Sequence, residues 1–383
     1  MKKLIVVLFF VVFICSISIN ANAESFDFDV NDSTDLFSQM YEDYGVDGLV
    51  DNSPDEVKDF VENFGITPAD PFSFKNLFSE NGFEYIKDYL SDSLFYPLKY
   101  LSIMLVSILV CAVCSSFSDN SLQVNHSMNL LCVTVVATVM IIPVSTLIND
   151  VVSTVNTVSV FMGVFIPIFA GILIACLKSG TAVAYSSIMF FTCETISYCC
   201  KVFVLPFANC FTALSVAGGI SGNSRLNGII RILKKLAFII ITASMAVFIA
   251  ILSIQSVVNS TADNVATKTA KFFISSFVPI VGSSISEALS SLKGCVSLLK
   301  SSAGIYAVIA IIIMFIPLII KIISFKLMLI FCADFSELFF VEAIKSIAEA
   351  LNSALSIILS VAICVCVMFI FSITIISVAG GAL

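Results

Sequence analysis

The stretch that decides the fold is residues 303–325, which read AGIYAVIAIIIMFIPLIIKIISF. A transmembrane helix needs about 20 predominantly apolar residues, so this stretch predicts one. Five more stretches have the same character: 97–118, 128–148, 183–206, 236–258 and 352–379. Weaker candidates at 157–177, 206–220 and 327–341 are interrupted by prolines, glycines or charges. We therefore predict an all-α polytopic membrane protein with six to eight transmembrane helices.

The composition of the whole chain agrees with this prediction. Of its 383 residues, 59% are apolar and only 12% are charged. Soluble domains carry about 25% charged residues, because a surface in contact with water has to be covered. The composition therefore argues strongly against a soluble enzyme and predicts that membrane lipid covers most of the protein.

The N-terminus has the parts of a secretory signal peptide over residues 1–23. Two lysines precede an apolar core from Leu4 to Ile19, and Ala21 and Ala23 form a small-x-small cleavage site. Cleavage after Ala23 would leave the new N-terminus outside the cytoplasm. The alternative is an uncleaved anchor helix, although the apolar core is shorter than a comfortable span.

Residues 24–95 are predicted to form an acidic extracytoplasmic segment, followed by a multipass transmembrane domain over 96–383. Between Glu24 and Tyr100 there are 18 acidic and 4 basic residues, a net charge of −14. Apolar residues at helical spacing, such as Val57, Phe60 and Phe64, predict short amphipathic helices. The alternative is a flexible, solvated leader. Such a charge would be repelled by anionic lipid headgroups and would suit a basic partner.

An internal repeat is suggested by two matching motifs. Phe161 to Ile168 and Phe273 to Ile280 share the pattern Phe-x₃-Phe-[Ile/Val]-Pro-Ile. The pattern indicates a duplication, with repeats at about 128–258 and 236–379, unless the two matches arose by chance. Proline-broken segments at equivalent positions are typical of channels and transporters. We therefore hypothesise that 157–177 and 272–290 are broken or re-entrant helices around a polar pathway.

Charged residues inside apolar runs are further candidates for function. Glu194 and Lys201 lie two helical turns apart on one predicted helix face. Charges in lipid are costly and often functional. The alternatives are that Lys201 and Lys326 extend to the membrane interface, and that 334–349 forms an amphipathic surface helix. The cluster of Arg225, Arg231, Lys234 and Lys235 is expected on the cytoplasmic side, while Lys268, Lys271, Lys293 and Lys300 favour the opposite orientation if they lie outside, so the full topology stays open.

The sequence lacks the patterns of the common catalytic sites. It contains no Gly-x₄-Gly-Lys-[Ser/Thr] loop, so nucleotide hydrolysis by that route is excluded. The chain has one histidine, His126, and its 13 cysteines lie almost entirely in apolar runs, where they are expected to pack rather than bind metal. We predict no enzymatic activity, no metal or cofactor, and no nucleic-acid binding.

One segment resembles a known family. Residues 266–282 read ATKTAKFFISSFVPIVG and are followed by Leu298-Leu299-Lys300 and Gly304, while Phe165-Ile-Pro167 leads into Gly171. These stretches resemble the stage III sporulation protein AE family of endospore-forming bacteria. The resemblance implies a candidate functional region, carried over as Lys268, Lys271, Phe277, Pro279, Gly282 and Lys300. Together with Pro167 and Gly171 of the first proline-containing segment, these residues are the candidate pathway or gating positions.

The resemblance also implies a setting and partners. The protein would be a multipass subunit of a complex in the mother-cell (outer forespore) membrane. Its partners would be other stage III sporulation membrane proteins, including a cytoplasmic ATPase and ring-forming subunits, and a forespore protein across the intermembrane space. Two alternatives remain open: a stand-alone secondary transporter of a small solute, in which Glu194 would act, and a membrane scaffold that docks partners through its acidic segment.

Overall fold

A computed structural model describes residues 39–67, 80–116, 122–175, 179–221, 228–248, 250–251, 254, 282–339 and 341–379. Nearly all of these residues are helical and none of them lies in a strand, which confirms the predicted all-α class. The predicted signal peptide lies outside the described residues.

A small helical cap precedes the long helices. Helices α1 (Asp47–Asp51) and α2 (Asp55–Phe64) are joined through Pro54, and α2 ends at Gly65, whose φ of 59° is left-handed. The N–H groups of Gly65 and Ile66 donate to carbonyls of the last turn, so a residue that tolerates positive φ is required here. Val57, Phe60, Val61 and Phe64 are buried, as their helical spacing predicts. We call residues 39–67 the cap.

Among the described residues, eight longer helices follow the cap. They are α3 (Glu80–Phe95), α4 (Leu98–Ser116), α5 (Leu122–Ala175), α6 (Ser179–Cys199), α7 (Leu205–Ser221), α8 (228–248), α9 (Gly282–Leu338) and α10 (Glu342–Ala379). A π-helical turn, Cys200–Val204, joins α6 directly to α7. These two helices therefore form one continuous rod.

Five helical stretches among the described residues are long and apolar enough to cross a membrane. They are Tyr89–Cys114, Leu131–Ala175, Ser179–Ile220, Cys295–Leu338 and Glu342–Thr374. The predicted span 236–258 begins in α8 and continues beyond the described part of the chain. The structure thus supports a polytopic membrane protein.

The predicted spans 128–148 and 157–177 are not separate. They belong to α5, a single helix of 54 residues that contains Pro143 and Pro167 in its interior. At 1.5 Å per residue, α5 is about 80 Å long, so it extends well beyond a hydrocarbon core of about 30 Å. The expectation of a break at Pro167 is therefore wrong, because neighbouring helices can support a helix that lacks one backbone hydrogen bond. Most of 272–290 lies outside the described residues.

Contacts between the helices distinguish two opposite ends of the bundle. At one end the cap contacts the bundle: Ser53 reaches Tyr306 in α9, and Tyr44 lies beside Gly171 near the end of α5. At the other end α9 turns into α10, and α8 begins beside it with Lys234 against Ser353. The basic start of α8 is thus at the end opposite to the cap. By the positive-inside rule we expect that end to face the cytoplasm.

The contact between the cap and α9 is a buried hydrogen bond. The hydroxyl groups of Ser53 and Tyr306 are 2.8 Å apart, and Ser53 also donates to the carbonyl oxygen of Leu49 at 2.6 Å. Both side chains are almost fully buried. A buried hydroxyl that loses its partner costs about 1 kcal/mol or more.

Tyr306→Phe is therefore expected to lower the free energy of unfolding by about 1 kcal/mol. The effect would be measured as a lower midpoint in thermal unfolding of the purified protein in detergent. Tyr198→Phe is the matched control, because Tyr198 is exposed on α6 and should leave the midpoint unchanged. Equal midpoints for the two variants would show that the cap is not held by this bond.

Candidate functional site within the helical bundle

An ion pair connects two of the membrane-length helices. Nζ of Lys321 in α9 lies 2.6 Å from Oδ2 of Asp150 in α5, and both side chains are more than half buried. Both residues lie within candidate spans, Cys295–Leu338 and Leu131–Ala175. Charges in such segments are rare, usually paired, and typical of functional positions. This pair is the centre of the candidate site.

Aromatic side chains surround the ammonium group of Lys321. Its Nζ lies 4.3 Å from the ring centroid of Tyr96, close enough for a cation–π interaction. Tyr96, Tyr100 and Phe325 form a cluster with ring centroids 5.4 to 6.4 Å apart. The Tyr96 ring thus lies against the ammonium group of the ion pair, and Tyr100 and Phe325 pack around that ring.

A second polar layer lies nearer the end of the bundle where α9 turns into α10. Lys326, only 5% exposed, donates to Oγ of Ser356, and Lys234 donates to Oγ of Ser353 at 3.1 Å. The expectation that Lys326 extends to the membrane interface stays a prediction, because the structure locates this lysine only within the bundle. Its side chain is held between α9 and α10, where the small residue Ser356 leaves room for it.

The charged stretch 334–349 does not form a single amphipathic surface helix. It contains the end of α9 and the start of α10, with Leu338 and Glu342 as the helix limits. Lys345 forms an ion pair with Glu337 across this connection at 2.8 Å. The charges thus mark the turn of a helical hairpin.

The residues predicted from the repeat and the resemblance are only partly described. Lys268, Lys271, Phe277 and Pro279 lie outside the described residues, and Gly282 is the first residue of α9. Pro167 is exposed on α5, Gly171 lies beside the cap, and Lys300 is buried in α9. Among these, Gly171 and Lys300 belong to the cap end of the bundle, away from the Asp150–Lys321 pair.

The first copy of the repeated motif packs in the core. Phe161, Phe165 and Phe169 are fully buried and stack along α5, with centroid separations of 6.4 and 5.1 Å. Tyr185 of α6 closes this stack against Phe169 at 5.7 Å. In this copy the Phe-x₃-Phe spacing is therefore explained by helix packing. The second copy lies outside the described part of the chain.

Glu194 and Lys201 are both exposed and are not joined in an ion pair. Lys201 lies in the π-helical turn and donates to Oδ1 of Asn156 in α5 at 2.7 Å. Glu194 faces outward from α6. The predicted intramembrane charges thus lie on the surface of this chain, whereas Asp150 and Lys321, which sequence reasoning missed, face each other inside it. In the sequence, the signal for this pair is one acidic residue, Asp150, and one lysine, Lys321, each beside or within a separate apolar run.

Metal and disulfide chemistry find no support in the described part of the chain. It holds no group of three His, Cys, Asp or Glu side chains placed to bind a metal ion. The cysteines described there are free. The candidate site thus consists of the Asp150–Lys321 ion pair and the aromatic side chains beside it.

Comparison with known proteins gives two matches. The family model described as Stage III sporulation protein AE matches residues 58–380. A curated relative with that name, from Bacillus subtilis (strain 168), is 20% identical over 234 residues, which cover 61% of this chain and 59% of the relative. The chain thus aligns with little more than half the length of that relative. No solved structure matches.

Proposed function

Because the chain belongs to the stage III sporulation protein AE family, we propose that it is a non-enzymatic membrane subunit of a sporulation-specific channel or secretion-like complex. The complex would link the mother cell and the forespore and would be required for forespore development. The coarser part of this function follows from the family and the helices: the chain is a sporulation-related membrane protein.

The observation that carries the proposal is the family match over 58–380, which includes residues 58–67 of the cap and the long helices. The charged and aromatic layer around Asp150 and Lys321 adds a physical reason. A subunit that only anchors partners has no need of a costly ion pair between its spans, whereas a gate can use one to hold two helices in a closed arrangement.

In this proposal the partners are assigned to the two ends of the bundle. The cap and the acidic residues before it would face the intermembrane space and a forespore protein. The cytoplasmic end, with the basic start of α8, would face a cytoplasmic ATPase, since the sequence has no phosphate-binding loop of its own. Ring-forming membrane subunits would surround the outward faces of the helices. The membrane would be that of the mother cell around the forespore.

The test is affinity purification of the tagged full-length chain from sporulating cells after mild crosslinking, followed by identification of what is recovered. Recovery with a cytoplasmic ATPase and ring-forming membrane proteins is the expected result. Recovery of the chain without these partners, from cells in which the protein is clearly expressed and folded, would contradict the proposal. A variant lacking residues 24–38 serves as a comparison, because it removes acidic residues before the cap and leaves the cap in place, so it should lose the forespore partner and keep the ATPase.

The ion pair also fits a stand-alone secondary transporter, since paired charges in a bundle are typical of solute and proton pathways. Glu194→Gln would abolish uptake by the isolated protein in that case. The exposed position of Glu194 gives this alternative less support. The third candidate function is a membrane scaffold. In that case Pro279→Ala and Gly282→Leu should be harmless, provided that the variants still assemble with their partners.

A further inference from the structure

Two lysines meet beside α10 at the cytoplasmic end of the bundle. Lys234 comes from α8 and Lys326 from α9, and their partners Ser353 and Ser356 are three residues apart on α10. Residues at this spacing are neighbours on one helix face, about 5 to 6 Å apart at Cβ. The ammonium groups are close enough for Lys234 to repel Lys326 electrostatically.

The positive charge of this pair is not balanced by the described residues. Among them, ion pairs link only Lys321 with Asp150 and Lys345 with Glu337. Glu349 lies one turn before Ser353 on α10, but it is exposed and its charge acts on Lys345. Arg231 and Lys235 on α8 add further positive charge. A buried, unbalanced ammonium group costs several kcal/mol, so an anion bound beside it would stabilise this arrangement.

The lysine pair also has unused hydrogen-bonding capacity. Each ammonium group has three donors, and one of the three is used on a serine hydroxyl. Ser356 in turn donates its own proton to the carbonyl oxygen of Asn352 at 2.8 Å. An anion with several acceptor oxygens would use the remaining donors.

We propose that Lys234 and Lys326 form a binding site for a phosphate group at the cytoplasmic end of the bundle. A phosphate group fits because it offers several strong acceptor oxygens to two ammonium groups, and lysine is a common phosphate ligand. The site lies beside the basic start of α8, where the headgroups of anionic lipids gather around positive residues. The phosphate belongs either to such a headgroup or to a free phosphate ion. The proposal does not depend on the channel function.

The experiment uses the purified full-length protein in neutral detergent. The midpoint of thermal unfolding is followed during titration with mixed micelles of phosphatidylglycerol, with micelles of phosphatidylcholine, and with inorganic phosphate at constant ionic strength. Phosphatidylglycerol is expected to stabilise the protein and phosphatidylcholine is not. Stabilisation by inorganic phosphate as well would identify a free anion as a ligand, and stabilisation by the lipid alone would identify the headgroup.

Lys234→Gln and Lys326→Gln should each raise the half-saturating ligand concentration about fivefold, since one lysine near a lipid surface is worth about 1 kcal/mol. The double variant should raise it more than tenfold. Lys58→Gln is the control, because Lys58 lies in the cap, at the end of the bundle opposite to the site, and should shift the value less than twofold. A double variant that responds like the unaltered protein would overturn the proposal, as would an unaltered protein that none of the phosphate ligands stabilises.

The variant Lys326→Met distinguishes a lysine that binds phosphate from a lysine that only packs between helices. Without any phosphate ligand it should raise the unfolding midpoint, because it replaces a buried, unbalanced charge with an apolar side chain of similar length. With phosphatidylglycerol present, the unaltered protein should gain stability and the variant should gain much less. A variant that is less stable in both conditions would show that Lys326 acts as a packing residue and would contradict the site.

Discussion

Asp150→Asn is expected to lower the free energy of unfolding by about 3 kcal/mol, because it leaves the ammonium group of Lys321 without a counter-charge between two spans. The variant should unfold at a lower temperature in detergent and should accumulate less in membranes. Because Asn keeps the size of Asp, the loss would report charge rather than packing. Chemical or thermal unfolding of the purified protein is the direct measurement.

Two comparisons make the Asp150 result specific. Glu194→Gln removes a carboxylate from an exposed position on α6 and should change stability by less than about 0.5 kcal/mol. The double variant Asp150→Leu with Lys321→Met should recover most of the loss, because replacing a whole buried ion pair with apolar groups is often neutral. If Asp150→Asn alone were as stable as the unaltered protein, the pair would have no role in holding α5 to α9.

The double variant also separates stability from function. If the ion pair serves only to hold helices together, a stable double variant should support spore formation. If the pair is part of a gate, the stable double variant should assemble with its partners and still fail in spore formation. Spore counts in cells that carry each variant, at matched protein levels, decide between these results.

Local patterns predicted the parts of the fold that depend on neighbouring residues. The apolar runs predicted the long helices, and the spacing of Val57, Phe60 and Phe64 predicted the buried face of α2. Such patterns reflect burial on one face of one helix, which the sequence shows directly. The limits of the helices are harder to predict from the sequence. A break in the helix is expected at Pro167, but α5 continues through it.

The sequence alone does not predict which residues of distant helices come into contact. Asp150 and Lys321 are 171 residues apart, and neither residue carries a pattern that names its partner. The same holds for Lys326, whose burial depends on the small side chain of Ser356 in another helix. The spacing of Glu194 and Lys201 predicts that they share one helix face, yet Lys201 forms its hydrogen bond with Asn156. Pairing of this kind is decided by how helices pack, which a single sequence does not reveal.

The close approach of α7 to α10 predicts the second large effect. A Cβ atom added to Gly219 would lie 2.6 Å from Cγ1 of Ile347 and 3.1 Å from its backbone nitrogen, and Ile347 is fully buried. Contacts this short are not tolerated, and the backbone of α10 cannot move aside as a flexible side chain could. Small residues allow membrane helices to approach closely, and Gly219 has this role here.

Gly219→Ala is therefore expected to destabilise the protein by about 1 to 3 kcal/mol, and Gly219→Leu by more, because either change forces α7 away from α10. Thermal unfolding in detergent is again the measurement. Gly163→Ala is the matched control: Gly163 also lies within a long helix, a Cβ there would meet nothing within 4 Å, and alanine favours the helix, so the variant should be neutral or slightly stabilised.

The pairing of Gly219 with Ile347 can be tested by compensation. Ile347→Ala alone should destabilise the protein by about 2 to 4 kcal/mol through the cavity that it leaves. Combined with Gly219→Ala it should cost less than the sum of the two single changes, because the new methyl group would enter part of that space. Strictly additive losses would mean that α7 and α10 do not meet at these residues, and the arrangement of the α6–α7 rod against α10 would then have to be revised.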